Sequence, residues 1–367
     1  MDQPTTKYNP FKTTAFHYKG SVLIYVLPKA IFFTIWSVSI WAIEVYGNLS
    51  STVIKTIAFN NALIVLLGLV ISLLLVFRTN TAYDRYWEGR RLWSDMTMII
   101  RSTARTIWVQ VEQVDSFDKD MKLQVIHLLV AYAYACKHNI RGEFGEHASD
   151  LENFLSHLTE GNGMPMSPES TRSNSTNSVT KLIKKTFDKK DNDFLPILIT
   201  HKITLVIDYW FKNEKIAPAV ATILLNNLNV MVTSYAGFER ILDTPIPMAY
   251  AIHLSQCVWL FCLLLPFQLL FLFSGVYKFF AILFTLVSAF TIFGIINIGE
   301  EIENPFGYDA NDLPLNEYCE ILNLEINQMI KKVAPNVKDW VFNNDHIKYI
   351  KKTFSIKSKN HTKIIIN

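Results

Sequence analysis

The sequence is poor in charge for its length, because only 18% of its 367 residues are Asp, Glu, Lys or Arg, whereas 50% are hydrophobic. A water-facing surface normally needs more charge, and the mean hydropathy of +0.20 is high for a soluble protein. The composition therefore excludes an ordinary soluble protein and indicates a membrane protein. The aromatic share of 13% agrees with this, since amphipathic rings favour the lipid headgroup level.

Cysteine and catalytic motifs are also scarce. The four cysteines form no CxxC pair, which indicates buried thiols rather than disulfides or a zinc site. No HExxH, P-loop, GxSxG or GxGxxG motif occurs, so nothing predicts an enzyme. The residues before position 30 lack the apolar core of a cleavable signal peptide, and we expect the N-terminus to stay in the cytosol. No nucleic-acid partner is expected.

Long apolar runs, by contrast, occur four times. A helix needs roughly 20 residues to cross a bilayer, and these runs lie at residues 30–46, 57–77, 246–273 and 276–299. Four runs without a matching polar face predict membrane-spanning helices rather than the core helices of a soluble domain. The fold class expected is an all-α, multi-pass integral membrane protein with two helix pairs, at 30–77 and 245–299.

A long polar segment, residues 78–244, separates the two helix pairs. Arginines crowd its beginning, whereas the connections after the first and third spans hold few cations. The positive-inside rule therefore predicts that this segment, the N-terminal segment 1–29 and the C-terminal segment 300–367 all lie in the cytosol.

Three runs of helical length in the polar segment predict a packed cytosolic bundle: 123–140, 194–211 and 217–241. The stretch 161–193, rich in Ser, Thr, Asn and Lys, is expected to be a disordered excursion from that bundle. No proline occurs between Pro28 and Pro165, so the second span is expected to continue as one helix through Trp108.

Three blocks at the span boundaries carry the strongest local signal. They are FRTNTAYDRYWEGRRLW (77–93) after the second span, ERILDTPIP (239–247) before the third, and GEEIENPFGYDANDLPL (299–315) after the fourth. In this order and at these boundaries they resemble the bestrophin family, and more its bacterial, plant and fungal branch than its animal branch. In the first block, Asp84 and Glu88 alternate with arginines, which allows ion pairs along the helix and arginine ties between helices.

The resemblance covers about residues 9–329, apart from the Ser-rich stretch. It implies a homopentamer in a lipid bilayer that conducts chloride and related small anions passively. It also implies that the second span of each subunit lines a narrow neck, and that cytosolic helices enclose a vestibule with a second constriction at its cytosolic end.

The second span supplies candidates for the neck, because a ring of apolar side chains can gate an ion path by dewetting. Leu66 and Val70 lie four residues apart on one helical face, and Val65 and Leu69 lie equally on the neighbouring face. Ala62 completes the candidate set, and contact with lipid or another helix remains the alternative for each residue. Animal-type necks carry phenylalanines, but this sequence has none between Asn60 and Phe77.

The outer mouth and the cytosolic constriction have candidates as well. Asn60 and Asn61 stand at the start of the second span, where amide donors and the positive end of the helix dipole attract an anion, or where Asn60 simply caps the helix. By the family's arrangement, the constriction falls just before the proline turn of ERILDTPIP. Its candidates are Ile241, Thr244 and Ile246.

The third block raises the question of calcium. In animal bestrophins an unbroken acidic run after NPFG helps to bind calcium, which takes six to eight oxygen ligands. Here only Asp309 and Asp312 remain of that run, so they are the calcium candidates, and a helix-capping turn is the alternative. No other cofactor is expected.

Three other functions stay open at this point. A cation-selective channel of the same fold keeps the architecture and changes the permeant ion. A secondary transporter would need inverted repeats, and we find none relating the first pair of spans to the second. A membrane scaffold would conduct nothing.

Overall fold

The computed structural model describes residues 20–46, 61–143, 151, 195–273 and 275–331. All regular structure in these ranges is helical, as predicted. The helices are α1 (Leu23–Tyr46), α2 (Asn61–Gln110), α3 (Ser116–Arg141), α4 (Leu195–Lys212), α5 (Pro218–Asp243), α6 (Met248–Leu272), a short 3-10 turn (Gly275–Lys278), α7 (Phe279–Glu303) and α8 (Leu315–Lys331). The excursion 161–193 and Asn60 lie outside the described residues.

The membrane layer consists of α1, the first half of α2, α6 and α7. Their inward faces share one apolar core, in which the ring of Phe33 stacks on Phe293 with centroids 5.6 Å apart. Their outward faces are also apolar, with Ile35 60% and Val287 52% exposed. Apolar residues on both faces suit a lipid environment or contact with another subunit.

Five helices in the described ranges are long and apolar enough to cross a membrane, and α5 is the least apolar of them. The buried face of α5, including Leu224, Met231 and Phe238, packs in a second core with α3, α4 and the distal half of α2. Because its partners are the helices of the polar segment, we assign α5 to the extramembrane bundle. The bundle helices begin and end within seven residues of their predicted bounds.

Helix α2 joins the two layers without a break. Its 50 residues span about 75 Å at 1.5 Å per residue. One buried side chain holds its end in place, since Lys122 donates to the carbonyls of Trp108 at 3.0 Å and of Val111 at 2.9 Å. The prediction that the second span continues through Trp108 is confirmed.

Two membrane helices contain prolines and remain helical. In α1, which begins at Leu23 rather than at residue 30, Pro28 lies inside the helix. In α6, Pro266 removes one backbone donor, and nearby Trp36 donates its indole N–H to the carbonyl of Leu263 at 3.1 Å. The Trp36 bond joins α1 to α6, whereas the carbonyl that lacks its helical donor because of Pro266 is that of Cys262.

Candidate functional site

One exposed stripe follows α2 from the membrane layer into the bundle. Its side chains recur at spacings of three, four and seven residues, which keeps them on one helical face. Leu66 and Val70, 58% and 42% exposed, lie at its membrane end. Farther along, the exposed members of what we call the 66–91 stripe are Leu73, Phe77, Asn80, Asp84 and Arg91. The stripe is therefore apolar at membrane depth and polar beyond it.

A second exposed stripe lies beside the first. The 65–87 stripe consists of Val65, Leu69, Val76, Tyr83 and Trp87, all more than half exposed. It stays apolar and aromatic at the depth where the first stripe becomes polar. Both pairs of neck candidates are thus on the surface of the subunit, where a pore-lining residue has to be.

The start of α2 is described only in its backbone. Within the described residues, α2 begins at Asn61, and Ala62 follows it. The orientation of these side chains lies outside the described part of the chain, as does all of Asn60. The outer mouth therefore stays a prediction.

A cluster of charged and polar groups joins α2 to α7 where the membrane layer meets the bundle. The buried guanidinium of Arg78 lies 3.4 Å from Glu300 and 3.9 Å from Glu303. The Glu303 carboxylate also accepts the backbone N–H of Ile246 at 3.3 Å. Glu303 thereby links α2, the end of α7 and the proline turn.

The three candidates for the cytosolic constriction differ in exposure. Ile241 is 3% exposed and packs in the bundle core, and Ile246 is also buried. A side chain that lines a pore has to lie on the outer surface of its subunit, so neither isoleucine meets this requirement here. Thr244 is exposed and caps the end of α5, and it becomes the candidate for the constriction.

The charges of the first block bond mostly to other helices. Arg85 donates from Nε to the carbonyl of Glu303 at 3.1 Å, from Nη2 to that of Ile241 at 2.6 Å, and from Nη1 to that of Thr244. Glu88 pairs with Arg240 of α5. The prediction that arginines tie helices together is confirmed, but the pairing of Glu88 along its own helix is wrong. Nothing in the local sequence identifies carbonyl partners that lie 156 to 218 residues away along the chain.

Asp312 is buried in the turn after NPFG. Its Oδ2 accepts the backbone N–H of Asp309 at 2.7 Å, whereas its buried Oδ1 has no hydrogen-bond partner. Burial raises the pKa of Asp312 from 3.8 to about 6. The carboxyl closes a turn back to Asp309, and the helix cap offered as the alternative to calcium binding stays a prediction.

Asp312 has polar neighbours in this turn. The neighbouring Asn311 donates its amide to the carbonyl of Gly20 at 3.1 Å and to Glu301 at 3.2 Å, so it presents nitrogen. In the ranges that the structure describes, no three His, Cys, Asp or Glu side chains converge as metal ligands. Calcium takes six to eight oxygen ligands, and calcium binding by Asp309 and Asp312 stays a prediction.

The raised pKa of Asp312 predicts a pH-dependent stability. The folded state binds this proton more tightly than the unfolded state, so the contribution to stability is full below about pH 4 and is lost as pH rises through about 6. Melting temperatures of the purified protein between pH 4 and 7.5 measure this loss. We expect Asp312→Asn to flatten the decline by a few degrees. Asp309→Asn should flatten it less, because burial is the largest cause of the raised pKa and the Asp309 charge is a smaller one. Parallel curves for Asp312→Asn and the parent protein would contradict the assignment.

The comparisons with known proteins agree with this architecture. The family model described as Bacterial/Fungal Bestrophin protein matches residues 3–328. The chain belongs to this bestrophin family. The resemblance expected from the three blocks is thereby confirmed.

Bestrophin relatives match most of the chain. It is 38% identical over 271 residues to a voltage-dependent anion channel-forming protein of Nostoc sp., a match that covers 74% of this chain and 78% of that protein. A Synechocystis sp. protein of the same description is 35% identical over 266 residues, which is 72% of this chain and 76% of the relative. A crystal structure of a bestrophin homologue from Klebsiella pneumoniae matches with a TM-score of 0.64 and 24% identity, over 85% of this chain and all of that one. At that identity the likeness concerns the fold.

Proposed function

We propose that this chain is the subunit of a channel that conducts chloride and related small anions passively across a membrane. The observation that carries the proposal is the 66–91 stripe, an exposed face on a helix that crosses the membrane layer and continues into the bundle. Membership of the bestrophin family supports it, as do relatives described as anion channel-forming proteins.

The pore is proposed to follow the 66–91 stripe rather than the 65–87 stripe. Ions beyond the neck need water, and Asn80, Asp84 and Arg91 offer a wettable wall. Exposed Tyr83 and Trp87 belong to the residue types that are enriched where proteins contact each other. We therefore place Leu66 and Val70 at the neck, and the 65–87 stripe against a neighbouring subunit.

Several copies are needed to enclose such a path, because the exposed face of one α2 helix forms one wall and not a closed channel. We propose a homopentamer, following the family resemblance, with Thr244 of each subunit at the cytosolic constriction. The N- and C-terminal segments are proposed to lie in the cytosol, because the six arginines at the start of the polar segment obey the positive-inside rule.

A cation channel of the same fold is the second candidate. Asp84 is the first charge on the stripe beyond the apolar part, and a ring of such carboxylates would attract cations. Arg91, two helical turns farther along, offsets it with a ring of opposite sign. The sign of the permeant ion therefore has to be measured.

Recording from the purified protein in planar bilayers under a potassium chloride gradient measures that sign. We expect a reversal potential near the chloride equilibrium potential, and no current in protein-free bilayers. A value near the potassium potential would retain the pore and reverse the ion. Absence of current under every condition would favour the transporter or the scaffold.

A further inference from the structure

The side chain of Arg85 connects the pore helix with the ends of two other helices. Its three bonded nitrogens donate to Ile241 in the last turn of α5, to Thr244 at its C-cap, and to Glu303, the last residue of α7. These carbonyls come from segments separated in the sequence by the whole α6–α7 hairpin. One guanidinium thus holds both segments against α2.

The chemistry of helix ends explains why an arginine occupies this place. The last four carbonyls of a helix lack partners within the helix and form the negative end of its dipole. A guanidinium offers five N–H donors in a planar fork, so one side chain can satisfy carbonyls from two helices. A lysine at the same position carries the charge but has neither the fork nor its reach.

The contact of Arg85 with the turn after α5 connects the proposed neck on α2 with the proposed cytosolic constriction at Thr244. Arg85 lies next to Asp84 in sequence but on a different face of α2, directed away from the 66–91 stripe and towards the proline turn. Thr244, whose carbonyl it holds, turns its side chain outwards. The place of Thr244 relative to Leu66 and Val70 is therefore set through Arg85 and the continuous helix α2.

Arg240 and Glu88 supply a comparison at the same interface. They also join α5 to α2, but as an exposed pair, with side chains 66% and 41% exposed. Exposed pairs are screened and contribute little. The less exposed Arg85, with three backbone acceptors, carries the geometric constraint.

We infer that Arg85 is a positioning residue for conduction, which fixes Thr244 and the proline turn relative to the pore-lining face of α2. This inference rests on the proposed function for its effect on ion flow. The tether itself is a property of the structure and can be tested without any current.

The test of the tether uses a cysteine at position 244. The background variant is Cys257→Ser, which removes the half-buried native thiol. The protein that also carries Thr244→Cys is treated with a charged methanethiosulfonate reagent, and the rate of modification of the new thiol is measured. We expect the further change Arg85→Gln to alter that rate severalfold, because the turn is released. Arg240→Gln removes one cation from the same helix pair and should leave the rate unchanged. Equal modification rates with and without Arg85→Gln would overturn the inference.

The test in conduction uses unit conductance, which is independent of how much protein folds. We expect Thr244→Ile to lower unit conductance severalfold when Arg85 is present and to have a much smaller effect in Arg85→Gln. Arg85→Lys, which keeps the charge, should behave like Arg85→Gln. A purely structural role would reduce the yield and leave the effect of Thr244→Ile intact in the surviving channels, which would overturn the inference. If the parent protein passes no current, the proposed function fails, while the modification rates still decide the tether.

Discussion

Replacing Leu66 by alanine is expected to raise unit conductance by on the order of tenfold. In the proposed neck, a ring of leucines narrows the path and disfavours water, and alanine both widens the ring and reduces its apolar surface. Lowering the barrier to ion passage by about 1.4 kcal/mol changes the rate of passage tenfold. The truncated side chains of all the subunits contribute to this change together, so each has to contribute only a part of it. Single-channel recording in symmetric potassium chloride measures the change, and Val70→Ala should act in the same direction.

Leu69→Ala is the matched control for this experiment. Leu69 is the same residue type in the same turn of α2, and its exposure of 63% is close to the 58% of Leu66. Because it belongs to the 65–87 stripe, its truncation should leave unit conductance nearly unchanged. A large effect of Leu69→Ala together with none of Leu66→Ala would move the pore to the neighbouring face and refute the assignment of the stripes.

The order of the helices can be predicted because each helix leaves a signal over many consecutive residues of the sequence. Apolar runs identify the spans, and the absence of proline between Pro28 and Pro165 identifies the unbroken α2. The predicted start of the first span at residue 30 is too late. A proline followed by a lysine is typical of the border of a span, so the sequence suggests that the span begins after this pair. The structure shows that the helix includes Pro28, and that Lys29 donates to Asn297 of α7 at 3.3 Å. A tertiary partner overrides the local signal there.

The site is predictable only as far as helical periodicity reaches. Spacing places Leu66 and Val70 on one face, and the structure exposes that face. The turn after α5 has no such period, so the sequence does not distinguish the exposed Thr244 from the buried Ile241 and Ile246. The partners of Arg85 are backbone carbonyls from distant segments, and backbone atoms leave no pattern in a sequence.

In the third block, side-chain type suggests metal ligands, whereas the packing of Phe306 is what the sequence analysis missed. Phe306 of NPFG is 1% exposed and lies edge-on to Phe238 with centroids 5.6 Å apart. Its ring approaches α2 so closely that a Cβ on Gly89 would be 3.0 Å from its Cζ. The block therefore fastens the end of α7 to the bundle and to the pore helix.

Phe306→Ala is accordingly expected to be strongly destabilising, by about 3–5 kcal/mol, the usual range for deleting a buried phenylalanine ring. The measurement is the fraction of purified protein that remains folded and unaggregated on size exclusion after heating at a series of temperatures. In the proposed channel, loss of this anchor should also reduce the number of active channels at unchanged unit conductance.

Tyr308→Ala tests whether this effect comes from burial or from the turn in general. Tyr308 lies in the same turn and is 58% exposed, with its ring against the guanidinium of Arg141 at 4.5 Å. The Arg141 side chain is only 1% exposed, so this cation–π contact is worth about 2 kcal/mol. The variant should therefore lose less stability than Phe306→Ala. The carbonyls of Phe306 and Gly307 accept hydrogen bonds from Arg141 at 2.9 and 3.1 Å. Equal losses would mean that these bonds hold the turn and not the buried ring, and the packing role of Phe306 would have to be abandoned.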